Sequence, residues 1–204
     1  MTATPPSRTR LAPDERREQI LAHAITAFGA SEYSAVSLDT IADEAGVTRG
    51  LLHHYFGSKR ALYLDAVERS MRIPASTRIV PPGVDGPLEV VLGECVSGWL
   101  DMVGTVGGLW TGLAGSVGVG DSDVDEILTS ARDELVERMI DELPLSPDLD
   151  RTMLRGALRG YSAFARVAVD EWLGRGNLDR EQVHTMLTGT LIALVQQIVP
   201  SMER

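Results

Sequence analysis

The sequence predicts an all-α fold: an N-terminal three-helix domain built on a helix-turn-helix, then a larger helical domain, about nine helices in total. Three observations predict it. Apolar residues recur at i, i+3, i+4 and i+7 along most of the chain, which puts them on one face of a helix. Clusters of glycine and proline punctuate these stripes. Between Ser37 and Phe56, two short amphipathic patterns meet at a single glycine, Gly46.

The first helix is expected from about Pro13 to Phe28. Pro13 suits a first turn, Asp14 and Glu15 favour the positive end of the helix dipole, and Ile20, Leu21, Ala24, Ile25 and Phe28 form the stripe, with Gly29 as the stop. In the second, Leu38, Ile41, Ala42 and Ala45 share a face, Ser37 can cap the start, and Gly46 supplies the positive φ of a tight stop from which Val47 turns back. The third opens at Thr48 with Leu52 and Phe56 inward. A fourth starts at Ser58, carries Leu62, Tyr63, Ala66 and Val67 inward and ends near Ile73, because Pro74 disfavours helix in the residue before it. Pro81, Pro82, Gly83, Gly86 and Pro87 read as a linker. These signals divide the chain into a flexible arm at 1–12, a helix-turn-helix domain at 13–73 and a second domain at 74–204.

Beyond the linker, Leu88 to Val103 reads as a helix and the glycine-rich stretch from Gly104 to Asp121 as a loose, kinked one. Gly118 and Gly120 lack both a preceding strand and the full GxGxxG spacing, which argues against a dinucleotide site. Asp121 or Ser122 can cap the next helix, with a stripe of Val124, Ile127, Leu128, Ala131, Leu135 and Met139. A helix from about Leu149 to Leu173 places Met153, Leu154, Ala157, Tyr161, Phe164 and Ala168 on its apolar side. The last begins at Asp179, where Gln182 completes a capping box, and carries a wide apolar face: Val183, Met186, Leu187, Thr190, Leu191, Leu194, Val195 and Ile198. So much apolar surface on the last two helices fits a two-fold four-helix interface between copies, with simple core burial as the rival. Arg151, Arg155 and Arg159 form an i, i+4, i+8 row that reads as a solvated or salt-bridged face.

The chemistry is concentrated in the third helix. Thr48, Arg49, Gly50, His53 and Tyr55 lie on its outward side or flank it, offering donors, an aromatic hydroxyl and a glycine that permits close approach. Such a surface suits a DNA major groove, which admits one helix and presents base-edge acceptors, and Arg49 can reach guanine O6 and N7 together. Taken singly, Arg49 and the histidines fit solvated surface residues equally well. Combined with the glycine corner, they favour DNA.

The segment AGVTRGLLHHYFGSKRAL, Ala45 to Leu62, resembles the DNA-binding signature of the TetR family of bacterial transcriptional regulators, and the resemblance spans roughly Arg16 to Val67. It implies an all-helical homodimer whose N-terminal domain binds a palindromic operator and whose C-terminal domain binds a small ligand. By position it puts Arg49 and His53 at bases and Thr48, Tyr55 and Lys59 at phosphates, with Ser37, Gly50 and His54 on the same surface. Position 53 is more often tyrosine in the family, so the smaller ring of His53 breaks the expected pattern of contacts. The cavity implied for the second domain falls among Trp99, Met102, Trp110, Tyr161 and Phe164, with Glu94 and Asp101 for polar contacts. Residue by residue, plain core is the favoured reading of the five large side chains. Such a list suits an apolar or amphipathic ligand better than a sugar phosphate.

Net charge is −10, which looks wrong for a DNA binder until it is divided by region. Residues 1–75 hold 9 basic and 9 acidic side chains; residues 76–204 hold 10 basic against 20 acidic. The excess would repel DNA from the second domain and leave binding to a local cluster: Arg8 and Arg10 in the arm, Arg16 and Arg17 opening the first helix, Lys59 and Arg60 opening the fourth.

Other classes find little support. Cys95 is alone, so there is no disulfide framework, thiol pair or cysteine cluster for zinc. Of His23, His53, His54 and His184, only the adjacent pair are neighbours, and they point to different sides of a helix. No GxSxG, P-loop or HExxH occurs, and no catalytic residue, metal or cofactor is expected. The N-terminus lacks the apolar core of a signal peptide and no run approaches about 18 consecutive apolar residues, so a cytoplasmic protein is expected. The function predicted is a ligand-responsive DNA-binding regulator, most simply a repressor. The alternative is a helical small-molecule or partner-binding protein that no longer binds DNA, with an enzyme a distant third.

Overall fold

A computed structural model describes residues 12–105 and 121–202. The chain divides into two compact units, Met1–Ala66 and Val67–Arg204. The described part of the first holds α1 (Pro13–Ala30), α2 (Leu38–Glu44), α3 (Arg49–Phe56) and the first half of α4 (Lys59–Met71). The arm with Arg8 and Arg10, most of the glycine-rich stretch (106–120) and Trp110 lie outside the described residues.

The first unit is assembled around short apolar rows. Ile20, Leu21, Ala24 and Phe28 of α1 pack with Ile41 and Ala42 of α2, Leu52 and Phe56 of α3, and Leu62 and Ala66 of α4, all buried. Glu15 accepts a hydrogen bond from the Ala12 N–H at 3.0 Å, satisfying one of the donors a helix start leaves open. Gly29 does not stop α1, which runs one residue further and ends at Ser31 in extended backbone. Arg17 ties the unit across its helices: it donates to Asp65 at 2.5 Å and lies 5.0 Å from the centre of the Phe56 ring. That arginine is therefore engaged within the unit.

The second unit contains the end of α4, α5 (Leu88–Thr105), α6 (Ser122–Glu142), α7 (Arg151–Val169) and α8 (Arg180–Ala193). α7 continues through a π-helical turn at Asp170–Gly174. α8 does so at Leu194–Ile198 and closes with the α-helical turn Val199–Met202. Asp121 caps α6, Asp150 caps α7, and Asp179 with Gln182 forms the expected reciprocal box at the start of α8. Leu92 and Leu100 of α5, Val136 and Ile140 of α6, Leu154 and Leu158 of α7, and Leu187 and Leu191 of α8 form one core.

Two stripes differ from the sequence expectation. On α6 the buried residues are Val124, Ala131, Val136 and Ile140, whereas Leu135 and Met139 are only half-buried. On α7 the inner row includes Leu158 and Ala165, while Phe164 is exposed together with Val167. The reason on α7 is that apolar residues cover more than one side of the helix, so periodicity alone cannot choose which side turns inward.

The Arg row of α7 is salt-bridged, one of the two forms expected. Running antiparallel to α6, it pairs Arg159 with Asp133 at 2.9 Å, Arg155 with Glu137, and Arg151 with Asp141 at 2.6 Å. Elsewhere Arg180 joins α8 to α5 through the Ser97 carbonyl and the Asp101 carboxylate, at 3.1 and 2.5 Å.

Arg138 of α6 gathers the chain that follows α4. It donates to the carbonyls of Ile73 at 3.2 Å, Pro74 at 3.3 Å and Thr77, and pairs with Glu142, whose other oxygen accepts from the Ile79 N–H at 2.8 Å. Arg72, just past α4, donates to Ser130 at 3.3 Å and lies 3.8 Å from Glu134.

The stretch Arg180–Met202 is long and apolar enough to cross a membrane by length and composition alone, an 18-residue window within it having a mean hydropathy of 1.2. Its row Val183, Leu187, Leu191, Val195 and Val199 is buried in the protein core, and a single such helix is weak evidence of a membrane.

Candidate nucleic-acid interface

The corner between α2 and α3 is fixed by local chemistry. The Ser37 hydroxyl oxygen accepts from the Asp39 N–H at 3.2 Å and the Thr40 N–H at 3.5 Å, starting α2. At its end Gly46 takes φ +64°, the Val47 N–H reaches back to the Ala42 carbonyl at 2.9 Å and the Gly46 N–H to Asp43 at 3.0 Å. This is a Schellman stop, which satisfies carbonyls that would otherwise be open and reverses the chain within three residues. Thr48 then caps α3 by accepting from the Leu51 N–H at 3.2 Å, and Gly57, at φ +73°, closes it.

Leu52 and Phe56 anchor the inner side of α3, so its other side is set outward. Arg49, Gly50, His53 and His54 are exposed and Tyr55 is half-buried against neighbouring rings, with His54 at 5.7 Å and Phe56 at 6.4 Å between centres. A Cβ placed on Gly50 would meet only the Thr48 hydroxyl, at 3.9 Å. No packing within the chain therefore demands glycine there, and it leaves a low place on the surface.

Lys59, at the start of α4, donates to the Ser34 carbonyl at 3.3 Å and lies 4.6 Å from the centre of the Tyr33 ring. Tyr33, Phe28 and Tyr63 form an aromatic cluster with centres 5.0 to 6.0 Å apart. The cation is thus positioned by the loop before α2. Sequence reasoning missed this support, and it missed Asp39, whose carboxylate receives the Arg49 guanidinium at 2.6 Å. Asp39 follows its own cap by two residues, a placement that also suits a helix start, so nothing in the sequence singles it out as an arginine partner.

Thr48, Arg49, Gly50, His53, His54 and Tyr55 thus gather on one short helix, with Ser37 at the head of the helix before it and Lys59 at the head of the one after. The residues expected around a ligand are more scattered. Trp99 and Met102 are half-buried against the core of the second unit, Tyr161 is buried with its hydroxyl donating to the Leu187 carbonyl at 3.2 Å, and Phe164 is exposed. Burial holds the Tyr161 phenol well above its ordinary pKa, keeping it a neutral donor.

Two open concavities occur in this unit. One of about 340 Å³ is bordered by Leu88, Leu145, Leu149 and Val195; one of about 650 Å³ by Glu89, Glu94, Ser97, Arg180 and His184. Neither is lined by Trp99, Met102, Tyr161 or Phe164. Asp101 is held by Arg180, and Glu94 borders the larger concavity.

Comparison with known proteins fits this geometry. A family model described as bacterial regulatory proteins, tetR family, matches residues 20–66. The chain is 45% identical over 60 residues to the HTH-type transcriptional activator FasR of Mycolicibacterium smegmatis, covering 29% of this chain and 27% of that protein. It is 39% identical over 57 residues to the HTH-type transcriptional regulator BetI of Agrobacterium fabrum, covering 28% of each. The chain thus matches only about a quarter of the length of these curated relatives. Solved structures extend the likeness to the whole fold. A tetR-family transcriptional regulator from Streptomyces coelicolor aligns with a TM-score of 0.75 at 27% identity, over 90% of this chain and 82% of that one. A TetR transcriptional regulator from a Rhodococcus species aligns at 0.64 and 17% identity, over 92% and 99%, a likeness of fold alone. With its capped helix-turn-helix and its all-helical second unit, the chain carries a match to the tetR-family DNA-binding model over residues 20–66 and has the fold of solved TetR-family regulators.

Proposed function

We propose that the chain is a ligand-responsive, sequence-specific DNA-binding regulator of transcription, a homodimer that reads a palindromic operator with α3 and is released from it by a small apolar or amphipathic molecule. The observation that carries the DNA reading is the outward side of α3. Arg49, Gly50, His53 and His54 stand exposed on a helix capped at its start and fixed by a glycine corner. In this reading Arg49 and His53 meet base edges, while Thr48, Tyr55 and Lys59, flanked by Ser37, Gly50 and His54, meet phosphates and the groove wall.

Dimerisation is supported by the second unit. α7 and α8 pack together, yet leave Phe164, Val167, Met186, Ile198 and Met202 exposed. Pairing these helices with their two-fold copies would cover that surface as a four-helix bundle. Two recognition helices must then sit about 34–36 Å apart, one turn of DNA, to reach successive major grooves.

Release follows from population shift. The division between the units falls within α4, and Arg72 and Arg138 bind its end and the following chain to α6. A ligand that moves these contacts changes what α4 transmits. A preference of about 3 kcal/mol for the non-binding geometry would lower operator affinity more than a hundredfold. The ligand site is proposed in the second unit, where Trp99, Met102 and Tyr161 lie in or against the core. The setting is the cytoplasm, where the DNA is.

Activation is the second reading, favoured by the name of the FasR relative, a transcriptional activator. A gel-shift assay on the DNA upstream of the coding sequence tests the core of the proposal. The full chain should give a salt-sensitive shift absent with unrelated duplex; equal binding to both overturns it. A promoter fusion then separates the roles, since deleting the regulator raises expression under repression and lowers it under activation. Thermal-shift screening of a metabolite library, repeated with that DNA, should find a molecule that stabilises the free protein and weakens DNA binding.

A further inference from the structure

Arg49 is the first residue of α3, where the helix dipole disfavours a cation, and the first turn of α3 carries no acidic residue to offset it. The offset comes from another helix. Asp39, in the first turn of α2, accepts from Arg49 Nη1 through Oδ2 at 2.6 Å across ten residues of sequence. Both side chains remain open to water, Arg49 at 65% and Asp39 at 61%. An ion pair so exposed contributes little to the stability of the free protein, so its use must be sought where the surface becomes covered.

Resting on the reading that α3 enters the major groove, we propose that Asp39 is the residue that makes Arg49 selective. It is a positioning residue: it acts on DNA through Arg49. A guanidinium has five N–H donors in a rigid plane, and fixing Nη1 leaves the Nε and Nη2 side to address paired acceptors such as guanine O6 and N7. Covering the surface with DNA removes water from the pair and strengthens the hold. Without Asp39 the long side chain is free to swing to the nearest phosphate, a contact that every sequence offers. The carboxylate itself repels phosphates at every site, a cost that only a correctly placed guanine offsets. Selectivity is thus raised by weakening the wrong complexes as well as by stabilising the right one.

Selection from a randomised duplex library, using the full-length chain, tests this. The wild type should select one guanine per half-site whose preference disappears in Arg49→Ala. Asp39→Ala should lower that preference roughly tenfold, bind random-sequence duplex more tightly, and leave the other selected positions unchanged. Asp39→Asn, which keeps the shape and an acceptor oxygen without the charge, should fall between, and thermal melts should show both variants folded. In the double variant the base preference should be no lower than in Arg49→Ala alone. If Asp39→Ala tightens binding equally on all sequences and keeps the guanine, Asp39 is only a repulsive charge and the inference fails. If Arg49→Ala leaves the selected site unchanged, the inference fails while DNA binding stands. A wild type that selects nothing defeats the function proposed above as well.

Discussion

In the proposed reading, individual side chains on and beside α3 divide the work of recognition by chemistry. Truncating Arg49 removes a base-edge donor and should cost about 1–3 kcal/mol on the selected duplex while relaxing one base pair. Lys59→Ala should act differently, weakening all sequences alike and reducing the log–log salt slope by about one, since a phosphate contact carries no sequence information. Anisotropy titrations at several salt concentrations distinguish the two. Gly50 allows a sharper contrast. With only the Thr48 hydroxyl near a new Cβ, Gly50→Ala should leave the fold intact and gain up to about 1 kcal/mol of helix stability. Its operator affinity should nevertheless fall; a thermal melt and a DNA titration that rise together would remove Gly50 from the interface. Cys95 illustrates a residue outside the site. Burial first, then Glu142 and Glu94, push its thiol up to about 11, so alkylation near pH 8 should be far slower in the native than in the unfolded protein.

At the level of helices, the starts and the Gly46 stop were legible in the sequence because caps are local chemistry, whereas α1 runs past Gly29, the stop expected for it. Ser37, Thr48, Asp121 and the Asp179–Gln182 box all accept the backbone N–H groups their spacing suggests, and Gly46 has the positive φ its place requires. Faces were less legible. α8 carries two apolar rows: Val183, Leu187, Leu191, Val195 and Val199 are buried, while Met186 and Ile198 are exposed. Hydrophobicity alone cannot tell a row that meets its own core from one left exposed, and Phe164, on the apolar side of α7, is exposed. Contacts such as Arg138 on the Thr77 carbonyl, 61 residues apart, have no signature in spacing at all.

The two rows of α8 should respond differently to substitution. Leu187→Ala should cost about 2–5 kcal/mol of stability. Ile198→Glu should instead give a folded monomer by light scattering; a folded variant that keeps the wild-type mass contradicts the proposed interface. Between α6 and α7, the Arg155 hydrogen bond holds the Glu137 carboxyl below its ordinary pKa. A depressed carboxyl contributes stability above its unfolded pKa of about 4.5 and loses it as pH falls through the lower folded value. Glu137→Gln should therefore lower the thermal midpoint slightly at pH 7 and have less effect as acid protonates the wild type.

Across the whole molecule, the acidic excess of residues 76–204 and the neutral balance of residues 1–75 have a common consequence. In the proposed reading this keeps non-specific attraction to DNA small and leaves affinity to a correctly spaced pair of local surfaces. The outward surface of α3 was readable from the Gly46 corner and the residues after it. The lining of the proposed ligand pocket was not, because aromatic composition in the second unit does not separate lining from core: Tyr161, one of the candidates, is buried and bonded to the Leu187 carbonyl. The central claim is that two copies of α3 read DNA one turn apart. Fluorescence anisotropy on the selected palindromic duplex, compared with the same duplex carrying about five extra base pairs between its half-sites, tests it most directly. The account predicts two chains per duplex and near-complete loss of specific affinity when the half-sites are turned to opposite faces. Equal affinity for both duplexes would contradict it.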